Sequence, residues 1–319
     1  MRLGLCCLFA EQDIRFRTTT ASALSRLGPL ERVARIRELA GSNAAALSEA
    51  ISWCAAHDIG CFRAGSQILP LKTHPTLGYD TELLGEEILR SFRRCGDLAR
   101  STGTRISFHP DQFVVLSSPD PLVVKSSLAE IEYQAEVGAW IGADVINVHG
   151  GGGYGDKREA LRRLAAAVGE LSFAARSMLT IENDDRTYTP SDLLPLCHDL
   201  GLPLVYDVHH HRCHGDGLSV EGATQLAVES WNRKPLFHIS SPRGGWQSRN
   251  PRLHDDHVDP CDFPAVWFDM DLTVEVEAKA KELAVGRLRR ELELRRGTGA
   301  AASSSRCGND SLGHGAGPA

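Results

Sequence analysis

D-V-I-N-V-H at 144–149, M-L-T-I-E at 178–182 and P-L-V-Y-D-V at 203–208 are short, nearly unbroken apolar runs, each carrying a histidine or an acid at or near its end. Continuous rather than alternating hydrophobicity is what a strand shows when both faces of its sheet are covered, as in parallel α/β proteins. Runs of the same kind stand at 2–9, 59–63, 104–108, 235–240 and 272–277, making eight in all. Amphipathic helical patterns lie near 30–57, 82–102, 121–142, 157–175, 191–200, 219–231 and 278–295. Eight βα units in succession predict a (β/α)₈ TIM barrel, an α/β fold, spanning 1–296 as a single domain. In the last helix Ala280, Leu283, Ala284, Leu288 and Leu292 form the stripe expected to pack on the barrel exterior. From Gly297 to 319 the chain is rich in Gly, Ala and Ser, and a disordered tail is expected there.

The 319 residues are 42% hydrophobic and 24% charged, as in a soluble enzyme. A formal net charge of -6 disfavours DNA binding by bulk charge alone but leaves room for a locally basic groove. Nine cysteines are scattered without a C-x-x-C pair, so reduced, mostly buried thiols in a cytoplasmic protein are expected. The N-terminal run is too short to span a membrane and is followed at once by charges, which suits a first strand better than a secretory leader.

The polar residues gather at one kind of place. His109 follows R-I-S-F, His149 follows V-I-N-V, Glu182 follows L-T-I and Asp207 follows L-V-Y. His238 lies within P-L-F-H-I-S, and Glu277 ends L-T-V-E-V-E. In a parallel barrel these strand ends meet at the C-terminal face, where barrel enzymes keep their active sites. Imidazole and carboxylate donors without thiolate suit Zn²⁺, Mn²⁺ or Fe²⁺. The candidates outnumber the ligands of one ion, so two or three divalent ions are expected, an arrangement that hydrolyses phosphoesters. In the run His209-His210-His211, strand alternation would place Asp207, His209 and His211 on one face, but past a strand end that alternation need not hold, and spacing leaves the choice open. The glycines at 150–153 lack the G-K-[ST] ending of a phosphate loop and are read as backbone freedom or close approach beside His149. Asp184 and Asp185 are read as supporting partners or helix caps.

L-P-L-K-T-H-P, F-H-P-D-Q-F-V-V-L, N-V-H-G-G-G, T-I-E-N-D-D, Y-D-V-H-H-H, F-H-I-S-S-P, R-L-H-D-D-H-V-D and V-E-A-K-A-K, in this order over residues 1 to 290, resemble the UV damage endonuclease family. The resemblance implies a metal-dependent barrel, similar in fold to endonuclease IV and the xylose isomerases, that nicks damaged double-stranded DNA 5′ to UV photoproducts, with abasic sites as a further substrate. It implies His74, His109, His149, Glu182, Asp207, His210, His238, His254 and Glu277 as metal ligands, manganese being the first expectation and zinc or iron the alternatives. Glu182, His109, His149 and Glu277 are the expected catalytic group, and Gln112 matches a residue that probes the duplex. Phe113 beside it, and Arg243, Arg249 and Arg252, are expected to contact DNA. The chain departs from the family pattern at Leu5, where a lesion-inserting tyrosine is common, at Phe113, commonly tyrosine, and at Leu236, commonly a lysine whose carboxylated form assists the metals. A monomer is expected. Two other readings fit a metal barrel: a sugar isomerase or epimerase, against which H-P-D-Q-F speaks, and a damage-binding paralogue with a decayed site, suggested by Leu236.

Overall fold

The structure, a computed structural model, describes residues 1–298. Its strands are β1 (Arg2–Cys6), β2 (Cys61–Ala64), β3 (Arg105–Phe108), β4 (Ala143–His149), β5 (Leu179–Glu182), β6 (Leu204–Val205), β7 (Leu236–Ile239) and β8 (Thr273–Val276). The helices are α1 (Ala21–Ser25), α2 (Pro29–Ala56), α3 (Glu86–Thr102), α4 (Pro121–Ile141), α5 (Lys157–Glu170), α6 (Phe173–Met178), α7 (Pro190–Leu200), α8 (Val208–Cys213), α9 (Val220–Glu229) and α10 (Lys281–Thr298). All strand pairs are parallel, in the order β6-β5-β4-β3-β2-β1-β8-β7. The remaining seam, between β6 and β7, is bridged at Asp207 and His238, where the His238 N–H donates to the Tyr206 carbonyl at 3.1 Å. The eight-stranded barrel is therefore nearly closed, and its seam runs through two of the expected site residues.

Local chemistry sets the helix boundaries. Pro121 and Pro190 open α4 and α7 behind caps from Asp120, which accepts from Leu122 N, and Thr189, which forms a capping box with Asp192. Gly103, Gly142 and Gly201 end α3, α4 and α7 in the left-handed conformation at φ of 69°, 74° and 64°. The helix expected over 157–175 is two helices, because Ser172 caps a fresh start by accepting from Ala175 N. On α10 the buried stripe is Ala284, Val285, Leu288 and Leu292, whereas Leu283 is 39% exposed. Leu283 sits one position, about 100°, from the packed row of Ala284, Leu288 and Leu292. Of the tail expected from Gly297, the first two residues close α10, and the rest lies outside the described residues.

The main core lies where the strands meet the helices, with Leu5, Phe62, Ile106 and Ile146 clustering with Leu47, Phe92, Ile131 and Leu288. A separate buried cluster of Cys61, Val145, Val205 and Leu236 fills the barrel interior below the site. No described helix is long and apolar enough to cross a membrane.

Candidate metal centre

Glu182, at the end of β5, stands at the middle of the site. Its Oε2 lies 3.1 Å from His109 Nε2 and 4.0 Å from His149 Nε2. Its Oε1 lies 3.2 Å from both His210 Nδ1 and His238 Nδ1. His238 Nδ1 is also 3.4 Å from Glu277 Oε1, whose Oε2 is 3.7 Å from His254 Nδ1. Burial is graded. Asp207, His238 and Glu182 form a closed floor, while the His149 and His254 side chains are 36% and 26% exposed toward solvent.

Asp207 decides which histidine of the triplet enters. β6 stops because the Asp207 side chain caps α8, its Oδ1 accepting from His210 N at 2.7 Å. On a helix, position i+3 returns to the same face, so His210 comes back over Asp207, its Nδ1 3.6 Å from Asp207 Oδ2. His210 Nδ1 lies 3.0 Å from the Asn183 carbonyl, an acceptor that fixes the ring with Nδ1–H. His209 instead packs against Trp246 and His254, and His211 is held between Tyr206 Oη at 2.7 Å and Asp216 Oδ1 at 2.9 Å.

The donor set fits divalent ions. Glu182 Oε1, Asp207 Oδ2, His238 Nδ1 and His149 Nδ1 are buried polar atoms without a hydrogen-bond partner. Such atoms cost about 1–3 kcal/mol each when nothing satisfies them. Donor atoms lie within 4.8 Å of one another in each of three overlapping groups: Glu182, Asp207 and His238; His109, His149 and Glu182; His109, His238 and Glu277. Hard-to-borderline N and O donors converging in this way suit Mn²⁺, Zn²⁺ or Fe²⁺.

Burial alone would raise the Glu182 carboxyl, but His238 and His149 outweigh it and hold the group well below the carboxylate range. Glu277 is held well below by Arg63 and His238, again against burial. Burial would lower His238, yet Glu182 and Glu277 push it up to about 10. His210, buried beside Asp207 and Glu182, is likewise raised. His149 is lowered because burial prevails over the pull of Glu182. Without metal, protons on His238 and His210 therefore offset the carboxylates. His238 stabilises the metal-free fold fully below its unfolded value of about 6.5, and that contribution is lost as pH rises through about 10. A metal held by His238 through Nδ1 would displace the proton there. Mn²⁺ affinity is expected to rise across this window with protons released to buffer. Calorimetry in two buffers of different ionisation heat counts them, and binding without proton release would contradict the assignment.

Several expected residues stand apart. His74 is in the loop after β2, where its Nδ1 accepts from Thr76 N and Leu77 N, each at 3.3 Å, and it belongs to none of the three groups. Leu5 is fully buried on the helix-facing side of β1 and is not positioned to reach a duplex; alternation turns Gly4, not Leu5, toward the interior, where a Cβ would press on Cys61 and Glu275. Leu236 packs into the apolar interior cluster and offers no donor. Gln112 lines a cavity of about 520 Å³ together with His109, His149, His210, His254 and Glu277. Phe113 beside it is 77% exposed. Arg243, Arg249 and Arg252 are all exposed, but Arg252 is tied to Asp185, its Nε donating to the carbonyl at 2.9 Å. Asp184 accepts from the backbone N–H groups of Arg186, Thr187 and Tyr188 and so shapes the loop beyond β5. Gly151, at φ +83°, leaves no room for a Cβ against Ser117 Oγ, which gives the glycine run a packing role.

Sequence reasoning passed over Arg63, Asn147, Asn183 and Glu275. Asn147 donates to Glu182 Oε2 and accepts from Thr180 Oγ1 at 3.0 Å, and Asn183 pairs with both backbone groups of Asp207. A lone arginine in the apolar strand C-F-R-A, and a second glutamate on the face of Glu277, were the available signals.

The family model described as UV-endonuclease UvdE matches residues 1–304. The UV DNA damage endonuclease of Deinococcus radiodurans is 35% identical over 303 residues, covering 90% of this chain and 94% of its own length. The crystal structure of SacUVDE superimposes with a TM-score of 0.82 at 27% identity, covering 92% of this chain and 99% of that one. Endonuclease IV from Thermus thermophilus, at 16% identity and a TM-score of 0.62 over 92% of this chain and 98% of its own, shares the fold.

Proposed function

The chain belongs to the UV-endonuclease UvdE family of DNA repair endonucleases, and we propose that it cuts the phosphodiester backbone 5′ to UV photoproducts at the centre built around Glu182. The observation that carries this reading is the convergence of unpartnered, buried donor atoms on the floor of an open cavity whose rim presents Gln112. Glu182, Asp207 and His238 would hold one ion; His109 and His149 would hold another beside Glu182, and Glu277, with His254 behind it, a third. Manganese is our first choice and zinc or iron the alternatives. Bound there, such ions supply Lewis acidity and an activated water for in-line attack.

The chain's own side chains prepare that chemistry. Asn147 and the surrounding imidazoles fix the Glu182 carboxylate, and the Asn183 carbonyl fixes the His210 ring. A damaged dinucleotide is already poorly stacked and costs less to extrude than intact bases. Gln112, on the cavity rim, and the exposed Phe113 would fill the gap, Phe113 by apolar contact alone. Arg243 and Arg249 are free to meet phosphates, and Arg252 would do so less freely because Asp185 holds it. The partner is damaged double-stranded DNA, bound by a monomer in the cytoplasm. Buried thiols such as Cys54, pushed up by burial to about 12, suit a reducing setting.

A short duplex with one defined photoproduct tests the reading: a single cut on the 5′ side of the lesion is expected, and cleavage elsewhere, or equal cleavage of the undamaged duplex, would overturn it. Gln112→Ala is expected to narrow the affinity ratio of irradiated over intact duplex about tenfold, the worth of one hydrogen bond. Competition binding measures that ratio, and an unchanged value would remove Gln112 from lesion probing.

A further inference from the structure

Beneath the metal centre lies a further buried carboxylate, that of Glu275. Glu275 lies on β8, two positions before Glu277 just past its end, so alternation turns it inward too, and it is 1% exposed. Its Oε2 accepts from Arg63 Nε at 2.6 Å and lies 3.2 Å from His238 Nε2. Its Oε1 accepts from Ser107 Oγ and from Cys61 Sγ at 3.6 Å.

His238 can serve a metal through Nδ1, the atom facing Glu182 and Glu277, only if Nδ1 keeps its lone pair. A neutral imidazole has one such lone pair, so the proton must then sit on Nε2. Two groups compete at Nε2. Arg63 NH2 stands 2.9 Å away, and a guanidinium only donates. Facing Arg63 alone, Nε2 would be held as an acceptor and the proton would go to Nδ1, into the metal site. Glu275 Oε2 is the acceptor at Nε2, and it also engages the Arg63 guanidinium.

We propose that Glu275 is a positioning residue that holds the Nε2–H tautomer of His238 and thereby aims the Nδ1 lone pair at the metal centre. The proposal rests on the reading of His238 as a ligand. It predicts that Glu275→Met weakens Zn²⁺ binding about 10- to 100-fold, the usual effect of losing a ligand's outer partner. Glu275→Gln, whose amide oxygen can still accept from Nε2–H, should recover part of the loss.

The test uses the full chain, with Zn²⁺ as a diamagnetic probe. Chelator competition gives the affinity, and nitrogen NMR of histidine-labelled protein gives the tautomer. The parent is expected to show His238 bound through Nδ1 with Nε2 protonated. Binding through Nε2, or a folded Glu275→Met protein with parental affinity, overturns the proposal while leaving the metal centre standing. A parent protein that binds no Zn²⁺ overturns both. Should Glu275→Met fail to fold, Glu275→Gln decides: Zn²⁺ affinity below that of the parent is expected, and parental affinity would overturn the proposal.

Discussion

Glu182→Gln is expected to lower nicking of irradiated DNA by at least about three orders of magnitude, the scale of several kcal/mol of lost metal-assisted stabilisation. The substitution keeps the volume and the strand position, so the barrel should persist. It removes the charge on which His109, His149, His210 and His238 converge. Glu182 enters two of the three donor groups, so metal content should fall together with the rate. Rate and elemental content measured on the same preparation separate the outcomes. Parental nicking with full metal would show that Glu182 holds no ion in the reaction.

Arg63→Met is the larger effect on stability. The Arg63 side chain is 8% exposed and meets Glu277 Oε1 through NH1 at 2.7 Å and Glu275 Oε2 through Nε at 2.6 Å. Removing it strands two carboxylates in the barrel interior, and breaking a buried pair by deleting one partner costs about 3–5 kcal/mol. That loss should appear in urea unfolding of the metal-free protein at neutral pH. The sign with pH follows from Glu275, which burial would raise but Arg63 and His238 hold at about 2. A depressed folded value gives stability that is present above the unfolded value near 4.3 and lost as pH falls toward about 2. The deficit of Arg63→Met should therefore shrink in acid. A deficit under about 1 kcal/mol at neutral pH would mean that the carboxylates find other partners, contrary to the arrangement seen here.

Both effects depend on residues of unequal legibility. The strands could be read directly because V-I-N-V, L-T-I-E and L-V-Y-D-V are covered on both faces and so carry a continuous apolar signal. Glu182, His149 and His109 could be read because each stands at such a strand's end. The triplet at 209–211 could not be resolved from spacing, because the Asp207 cap turns an expected extension of strand into α8, and helical rather than alternating geometry brings His210 beside Asp207 and Glu182. Arg63 and Glu275 escaped for a different reason. Each reads as an isolated charge in an apolar strand, and only barrel closure brings together side chains 212 positions apart. Leu5, read as a departure from the family's tyrosine, is a departure in role as well. The R-L-G-L pattern matched a family position, but strand parity and packing bury that side chain against the helices.

The central claim, a metal-dependent nuclease that acts on damaged DNA, is tested most directly by one nicking assay on an irradiated and an untreated supercoiled plasmid, each with Mn²⁺ and with EDTA. The expected result is nicking of the irradiated plasmid alone, only with Mn²⁺, which would also show that Leu236 does not disable the site. Nicking that survives EDTA, equal nicking of both plasmids, or no nicking by protein that retains its metal would contradict it.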